Sequence, residues 1–341
     1  MGFCNFNKMA ESHFHFSEEK PLRWGVIGCG GVAEKKSVPA YQNTPGFRVD
    51  MVMRRNADKA EDYAKRHNVP QWTTNAEEVI FNPEVDAVYI ATPPDSHKKY
   101  ALLVAETGKP CCVEKPMAPN YQDSLAIHQA FEAKGLPLFV AYYRRSLPRF
   151  LKVREWLDDG LIGEIRHIHW EKSKPPNDLD LRGSYNWRTD KQIAPGGYFD
   201  DLASHGLDLF TFLLGDITEA SGIAKNQQGL YSAFDAVSGI WQHKGGVTGE
   251  GFWNFGTHQR VDKVDIYGSA GKISFSVLDE APIQLENVSG HQILEIPHPE
   301  HIQKYHVANI KNHLLGKSIH PSTGKSGLHT SWVMDRILGT L

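Results

Sequence analysis

From Leu22 to Tyr142, short apolar runs alternate with segments of helical period. The pattern predicts strands over 22–27, 47–53, 85–91, 111–114 and 138–142, with helices over 31–41, 57–67, 97–107 and 121–134 between them. Apolar runs of this length, separated by helices, describe a parallel sheet covered on both faces. Asn75 followed by Glu78 predicts a capping box on a short helix. Beyond residue 145 the pattern changes. A helix is expected over 148–158 and another over 200–214. In 165–171, Ile165, His167 and His169 alternate with Arg166, Ile168 and Trp170, as in a half-buried strand. Strands over 232–242, 247–255, 261–267 and 272–277 follow, joined by glycine-containing turns, and helices near 305–314 and 327–338 close the chain. Strands without intervening helices predict an antiparallel sheet. The expected organisation is an extension over 1–20, an α/β domain over 21–145 and an α+β domain over 146–341.

Composition agrees with two globular domains. The chain has 341 residues, of which 40% are hydrophobic and 23% charged. A net charge of -3 supplies no general attraction to nucleic acid or to an anionic membrane. No apolar run reaches the 18 residues of a membrane span. Near the N-terminus Phe3, Phe6, Phe14 and Phe16 are interspersed with Lys8, Glu11, Glu18 and Glu19, without the continuous apolar core of a signal peptide. Cys4, Cys29, Cys111 and Cys112 form no CxxC pair and suit a reducing compartment, so a cytoplasmic location is expected. The histidine pairs His13/His15, His167/His169 and His298/His301 lack a cysteine or carboxylate to complete a metal site, and no metal is expected.

The candidate chemistry lies where expected strands end. Gly28-Cys29-Gly30-Gly31-Val32-Ala33 is a GxGxxA sequence between strand and helix. Gly28 permits a tight turn, Gly30 lets the backbone approach a pyrophosphate, and Ala33 lets the helix pack on the strand. The N–H groups of the helix end then face the phosphates. At the end of the second strand, where an acid would bind a ribose 2′-hydroxyl, stand Arg54 and Arg55. Guanidinium groups there suit a 2′-phosphate, so NADP is the expected cofactor, ahead of NAD. Thr92-Pro93-Pro94, with His97, follows the third strand and could line a nicotinamide pocket or form an ordinary strand-to-helix turn. Glu114-Lys115-Pro116 ends the next strand and puts a candidate acid–base lysine at the crevice. Asp201 and His205, four apart, share a helix face, and Asp208 is a further neighbour of His205; a carboxylate beside an imidazole can orient it.

Taken in order, the turn Gly28–Ala33, Thr92-Pro93-Pro94 with His97, Glu114-Lys115-Pro116, Trp187-Arg188, and Gly196-Gly197 with Asp201 and His205 resemble the glucose–fructose oxidoreductase, inositol dehydrogenase and rhizopine-catabolism family. The resemblance covers Leu22 to the C-terminus. It implies a Rossmann domain and an α+β domain with a large open, mainly antiparallel sheet that builds dimers or tetramers. It also implies that Lys115, Asp201 and His205 are catalytic, and that Trp187 and Arg188 lie against cofactor and site. The implied reaction is hydride transfer between NADP or NAD and a hydroxyl or keto carbon of a small carbohydrate or polyol. A nicotinamide-dependent glycosidase and a non-catalytic dinucleotide-sensing regulator of the same fold are the alternatives. The chain departs from the family pattern at Ala203 and at Tyr142-Tyr143-Arg144-Arg145.

Overall fold

The apolar run LRWGVI forms β1 (Leu22–Ile27), in which Trp24, Val26 and Ile27 are wholly buried. A computed structural model describes residues 16, 17 and 19–341; Cys4, His13, His15 and most of the expected extension lie outside the described residues. β1 is central to a six-stranded parallel sheet of order β3-β2-β1-β4-β5-β6, with β2 (Phe47–Met53), β3 (Gln71–Thr73), β4 (Ala87–Ile90), β5 (Cys111–Val113) and β6 (Leu138–Val140). Strand order reverses between β1 and β4, so the carboxyl ends of these two strands open a crevice.

The first helix differs from expectation in its middle. It opens at Gly31, widens to a π-helical turn over Ala33–Ser37, and continues as α1 (Val38–Asn43). Pro39 lacks the N–H that would bond to Lys35, which accounts for a wider turn just before it. α2 (Ala57–Arg66), α3 (Ala76–Ile80), α4 (His97–Glu106) and α5 (Tyr121–Glu132) connect the remaining strands. The capping box at α3 is only half formed. Asn75 accepts from the Glu77 N–H at 3.0 Å, but Glu78 takes the Thr73 hydroxyl instead of the Asn75 N–H. Thr73 Oγ1 already occupies that N–H, at 3.0 Å.

After α6 (Pro148–Asp158) the chain builds an eight-stranded sheet of order β14-β13-β12-β11-β7-β10-β9-β8, with the one-turn helix α7 (Asp178–Leu181) following the first of these strands in the chain. Its strands are β7 (Ile165–Ser173), β8 (Ile217–Lys225), β9 (Ala236–His243), β10 (Thr248–Asn254), β11 (Val261–Gly268), β12 (Gly271–Phe275), β13 (Ile283–Asn287) and β14 (Gly290–Leu294). All neighbours are antiparallel except β7 and β10. Alternation gives the sheet two unlike faces. Ile168, Trp170, Trp241 and Trp253 turn inward, while Ile223 and Ile240 stand exposed on the other side. Of these strands β8, β13 and β14 were not expected, nor was β3 in the first sheet; β8 and β14 are edge strands that bury few residues.

The long helix α8 (Tyr198–Leu214) lies on the inner face. Trp170 meets Phe210 and Trp253 edge-to-face, with ring centroids 5.5 Å apart in both pairs. The last two helices bridge both sheets. α9 (Lys304–Leu314) buries Val307 and Ile310 among Trp24, Val26 and Tyr41 of the first core. α10 (Gly324–Leu338) places Val333 and Ile337 in the second core and hydrogen-bonds Ser331 to Ser124 of α5.

At Gly206 the backbone of α8 comes close to the sheet. A Cβ there would lie 2.3 Å from the Trp170 ring. Gly206→Ala must push helix from sheet, and should lower unfolding free energy by about 1–3 kcal/mol in urea or thermal denaturation. Unchanged stability would show that the helix is not seated on Trp170.

Candidate active site

The turn after β1 is closed by the neighbouring strands. Gly28 and Cys29 both donate N–H groups to the Met53 carbonyl, at 3.0 and 3.1 Å. Gly28 has φ +97°, and a Cβ would lie 2.8 Å from the Ala91 carbonyl oxygen, so only glycine fits. Gly30 and Gly31 differ: nothing lies within 4 Å of where their Cβ atoms would be. The first intrahelical bond runs from Glu34 N–H to Gly30 O at 2.9 Å, so the N–H groups of Gly31, Val32 and Ala33 precede it. Open space before a glycine backbone and helix-end donors fit a dinucleotide pyrophosphate.

This turn forms one wall of a cleft of about 420 Å³. Of the residues anticipated from sequence, Gly28, Gly30, Gly31, Val32, Ala33, Thr92, Pro93, Pro94, Glu114, Lys115, Trp187, Arg188, Asp201 and His205 all line it. Three do not. His97 is fully buried, with Nε2 2.8 Å from the Thr92 carbonyl and Nδ1 3.1 Å from the Pro116 carbonyl. It therefore braces the turn after β4 against the segment after β5 and makes no contact with the cleft. Arg54 is half-buried beside the glycine turn, with Nη1 3.5 Å from the Cys29 carbonyl, and Arg55 is exposed.

The centre of the cleft is a carboxylate between two cations. Lys115 Nζ, at the end of β5, donates to Asp201 Oδ1 at 2.6 Å and to the Asp201 backbone oxygen at 2.7 Å. Arg188 Nε donates to the other carboxylate oxygen at 2.8 Å. Arg188 also stacks on Trp187, 4.3 Å from the ring centre, and its N–H is capped by the Asn186 side chain. Burial opposes ionisation of Asp201, but Lys115 and Arg188 outweigh it and hold the carboxyl well below its usual range.

His205 does not use either helix neighbour. Asp201 is taken by Lys115 and Arg188, and Asp208 by Arg145, at 2.7 and 2.8 Å, with Thr330 adding a third bond. The expected carboxylate–imidazole pair is thus absent; arginines compete for both acids and win. His205 Nδ1 is buried with no partner, and the ring packs edge-on to Tyr143 at 5.3 Å. Burial, then the charges of Arg144, Lys115 and Lys36, push its pKa well below the ordinary value, so the imidazole is neutral. Ala91, Lys36, Tyr143, Arg144, Leu202, Leu278 and Gln303 complete the lining, and the last six were not singled out as site residues by sequence. Gln303, arriving from just before α9, donates to Glu114 Oε1 at 2.8 Å, beside the hydroxyl of Tyr89.

Residues 22–142 match the model of an oxidoreductase family with an NAD-binding Rossmann fold, and residues 150–274 match the GFO/IDH/MocA C-terminal domain. The chain belongs to the GFO/IDH/MocA oxidoreductase family. It is 38% identical to Oxidoreductase P35 of Formosa agariphila over 94% of this chain and 100% of that protein. It is 26% identical to 1,5-anhydro-D-fructose reductase of Ensifer adhaerens over 90% of this chain and 92% of that one. A levoglucosan dehydrogenase solved with NADH and levoglucosan shares the fold, with TM-score 0.82 at 23% identity over 93% of this chain and 96% of that one. This family member is therefore an NAD(P)-dependent oxidoreductase with a Rossmann domain.

The contrast between glycines gives a clean test of the phosphate cradle. Gly30→Val has room for its side chain in the free protein, so its melting temperature should stay near wild type. Nicotinamide dinucleotide affinity, followed by fluorescence titration, should fall by an order of magnitude or more, since the branched chain fills the phosphate approach. Equal affinity in the folded variant would move the cofactor elsewhere.

Proposed function

We propose that the protein transfers a hydride between NADP(H) and a hydroxyl-bearing carbon of a sugar or polyol, with Lys115, Asp201 and His205 as its catalytic residues. The observation that carries this reading is the Lys115–Asp201–Arg188 array lining the same cleft as the glycine turn. When bound, the dinucleotide supplies the hydride acceptor or donor. The pyrophosphate would rest on the backbone of Gly30 to Ala33, and Thr92, Pro93, Pro94, Glu114 and Trp187 would enclose the nicotinamide half. The names of related proteins, among them the anhydrofructose reductase, favour a carbohydrate substrate.

Within this frame Lys115 Nζ moves the proton at the substrate oxygen. In the reductive direction its ammonium donates to the carbonyl oxygen as that oxygen becomes a hydroxyl; in the oxidative direction the neutral amine receives the hydroxyl proton. Asp201, itself on α8 of the second domain (taken to begin near residue 146), fixes the amine to that domain, and Arg188 holds its other oxygen. Neutral His205 bonds the substrate hydroxyl and orients it. Arg54, beside the glycine turn, favours the 2′-phosphate of NADP over NAD. The protein acts in the cytoplasm, as its three described cysteines are free and buried, and as a homodimer or tetramer through the open face of the second sheet, where Ile223 and Ile240 are exposed.

Absorbance at the nicotinamide band with a panel of sugars and polyols should show net turnover. Glycoside cleavage without net reduction, or binding without turnover, would contradict the reading. Lys115→Ala should lower kcat by roughly 10²–10⁴ while dinucleotide still binds. Near-normal turnover in that folded variant would remove Lys115 from the chemistry.

Arg54→Ser should weaken NADP binding selectively, by about 1.5–3 kcal/mol for one charged hydrogen-bonding partner. Wild-type protein that binds NAD as tightly as NADP would overturn the cofactor preference.

A further inference from the structure

Arg144, in the wall of the cleft, and Arg149, outside its lining, carry positive charge that no carboxylate of the described residues hydrogen-bonds. Arg144 and Arg149 are 5% and 2% exposed. The intervening Arg145 shows what pairing looks like here: its guanidinium grips both oxygens of Asp208. Arg144 donates Nε to the Val277 carbonyl at 2.7 Å and lies 4.9 Å from the Tyr143 ring centre, but its Nη1 is buried without a partner. Arg149 donates Nη2 to the Ala281 carbonyl at 2.5 Å, and its Nε and Nη1 are likewise unpartnered. The acid that acts most on Arg149 is Glu280, whose exposed carboxylate is held by His298 Nδ1 at 2.7 Å. Arg149 Nη2 also reaches the Ser276 hydroxyl, at 3.5 Å, so each guanidinium bonds only neutral acceptors, and buried cations of this kind are costly unless an anion joins them.

Arg144 lines the cleft and is the cation that acts most strongly on His205, ahead of Lys115 and Lys36. Of the other charges of the cleft, Lys36 stands exposed to solvent and the rest are paired. Lys115 and Arg188 share Asp201, and Glu114 accepts from Tyr89 and Gln303. The phosphates of a dinucleotide are drawn to the glycine turn and helix end. The buried, unpaired guanidinium of Arg144 thus stands next to the residues that would handle the reacting hydroxyl.

We propose that Arg144, backed by Arg149, receives a carboxylate carried by the substrate, so that the preferred substrate is a sugar acid or polyol acid and not its neutral counterpart. The planar guanidinium fork matches the two oxygens of a carboxylate. The inference rests on the oxidoreductase reading of the cleft and names the substrate class for it.

The test is calorimetric titration of the dinucleotide-loaded protein with matched pairs: gluconate against glucitol, glucuronate against glucose, and the corresponding galacto and manno pairs. At least one acid should bind tenfold or more tighter than its neutral partner, with that advantage shrinking as salt rises. Arg144→Met should abolish the advantage while dinucleotide affinity holds, and Arg144→Lys should restore part of it. Equal affinity within every pair, or no acid binding in wild type, overturns the proposal even if Arg144→Met fails to fold. Initial rates with the same pairs separate the two readings. Turnover of neutral sugars without an acid preference rejects the carboxylate site alone, whereas Arg144-dependent acid binding without any turnover keeps the site and rejects the redox assignment.

Discussion

A partly buried carboxylate held by two cations from different parts of the chain organises this molecule. Asp201 sits on α8, Lys115 at the end of a strand in the parallel sheet, and Arg188 in the segment leading to α8. Withdrawing any one charge from water is expensive; the three together satisfy one another, and do so only when the α/β domain and the long helix meet in one orientation. The geometry of the cleft is therefore a consequence of domain packing, and the Lys115 amine is fixed by the same bonds that join the domains.

Other contacts support that orientation. Arg145 and Asp208, both buried, join the chain just after the parallel sheet to α8, and Thr330 adds α10 to the same cluster. Close approach at Gly206 and the Trp170, Trp253 and Phe210 rings sets the depth at which α8 lies on the second sheet. The C-terminal helices return to the first core, carrying Gln303 to Glu114 on the way. One wall of the cleft thus comes from residues nearly two hundred positions further along the chain than its partner.

This explains what could be read from the sequence. Strands β1, β2, β4, β5 and β6 of the parallel sheet are mostly apolar because most of their residues are buried, and the glycine turn and Glu114-Lys115 stand at strand ends, where a crevice is required. Strand β8, with ITEASGIAK, and β14, with GHQIL, leave most residues in solvent at the sheet edges, so period and hydrophobicity gave little signal. His97 was placed among cofactor contacts by its position beside the Thr92 turn, whereas both nitrogens face backbone carbonyls. The expected Asp–His pairing failed because helix spacing brings side chains to one face but says nothing of an arginine arriving from elsewhere. Arg144, Lys36 and Gln303 become site residues only through tertiary approach; the run Tyr142-Tyr143-Arg144-Arg145 was visible as a departure from the family pattern, but its charge imbalance was not.

The central claim is that the glycine turn and the Lys115–Asp201–Arg188 array serve one reacting pair. A crystal structure with dinucleotide and a slowly reacting substrate analogue tests it most directly. The account predicts the pyrophosphate on the backbone of Gly30 to Ala33, with the nicotinamide C4 and the analogue's hydroxyl carbon both adjacent to Lys115 and His205. A nicotinamide ring lying outside the cleft, or an analogue bound away from Lys115 with the ring in place, would contradict it.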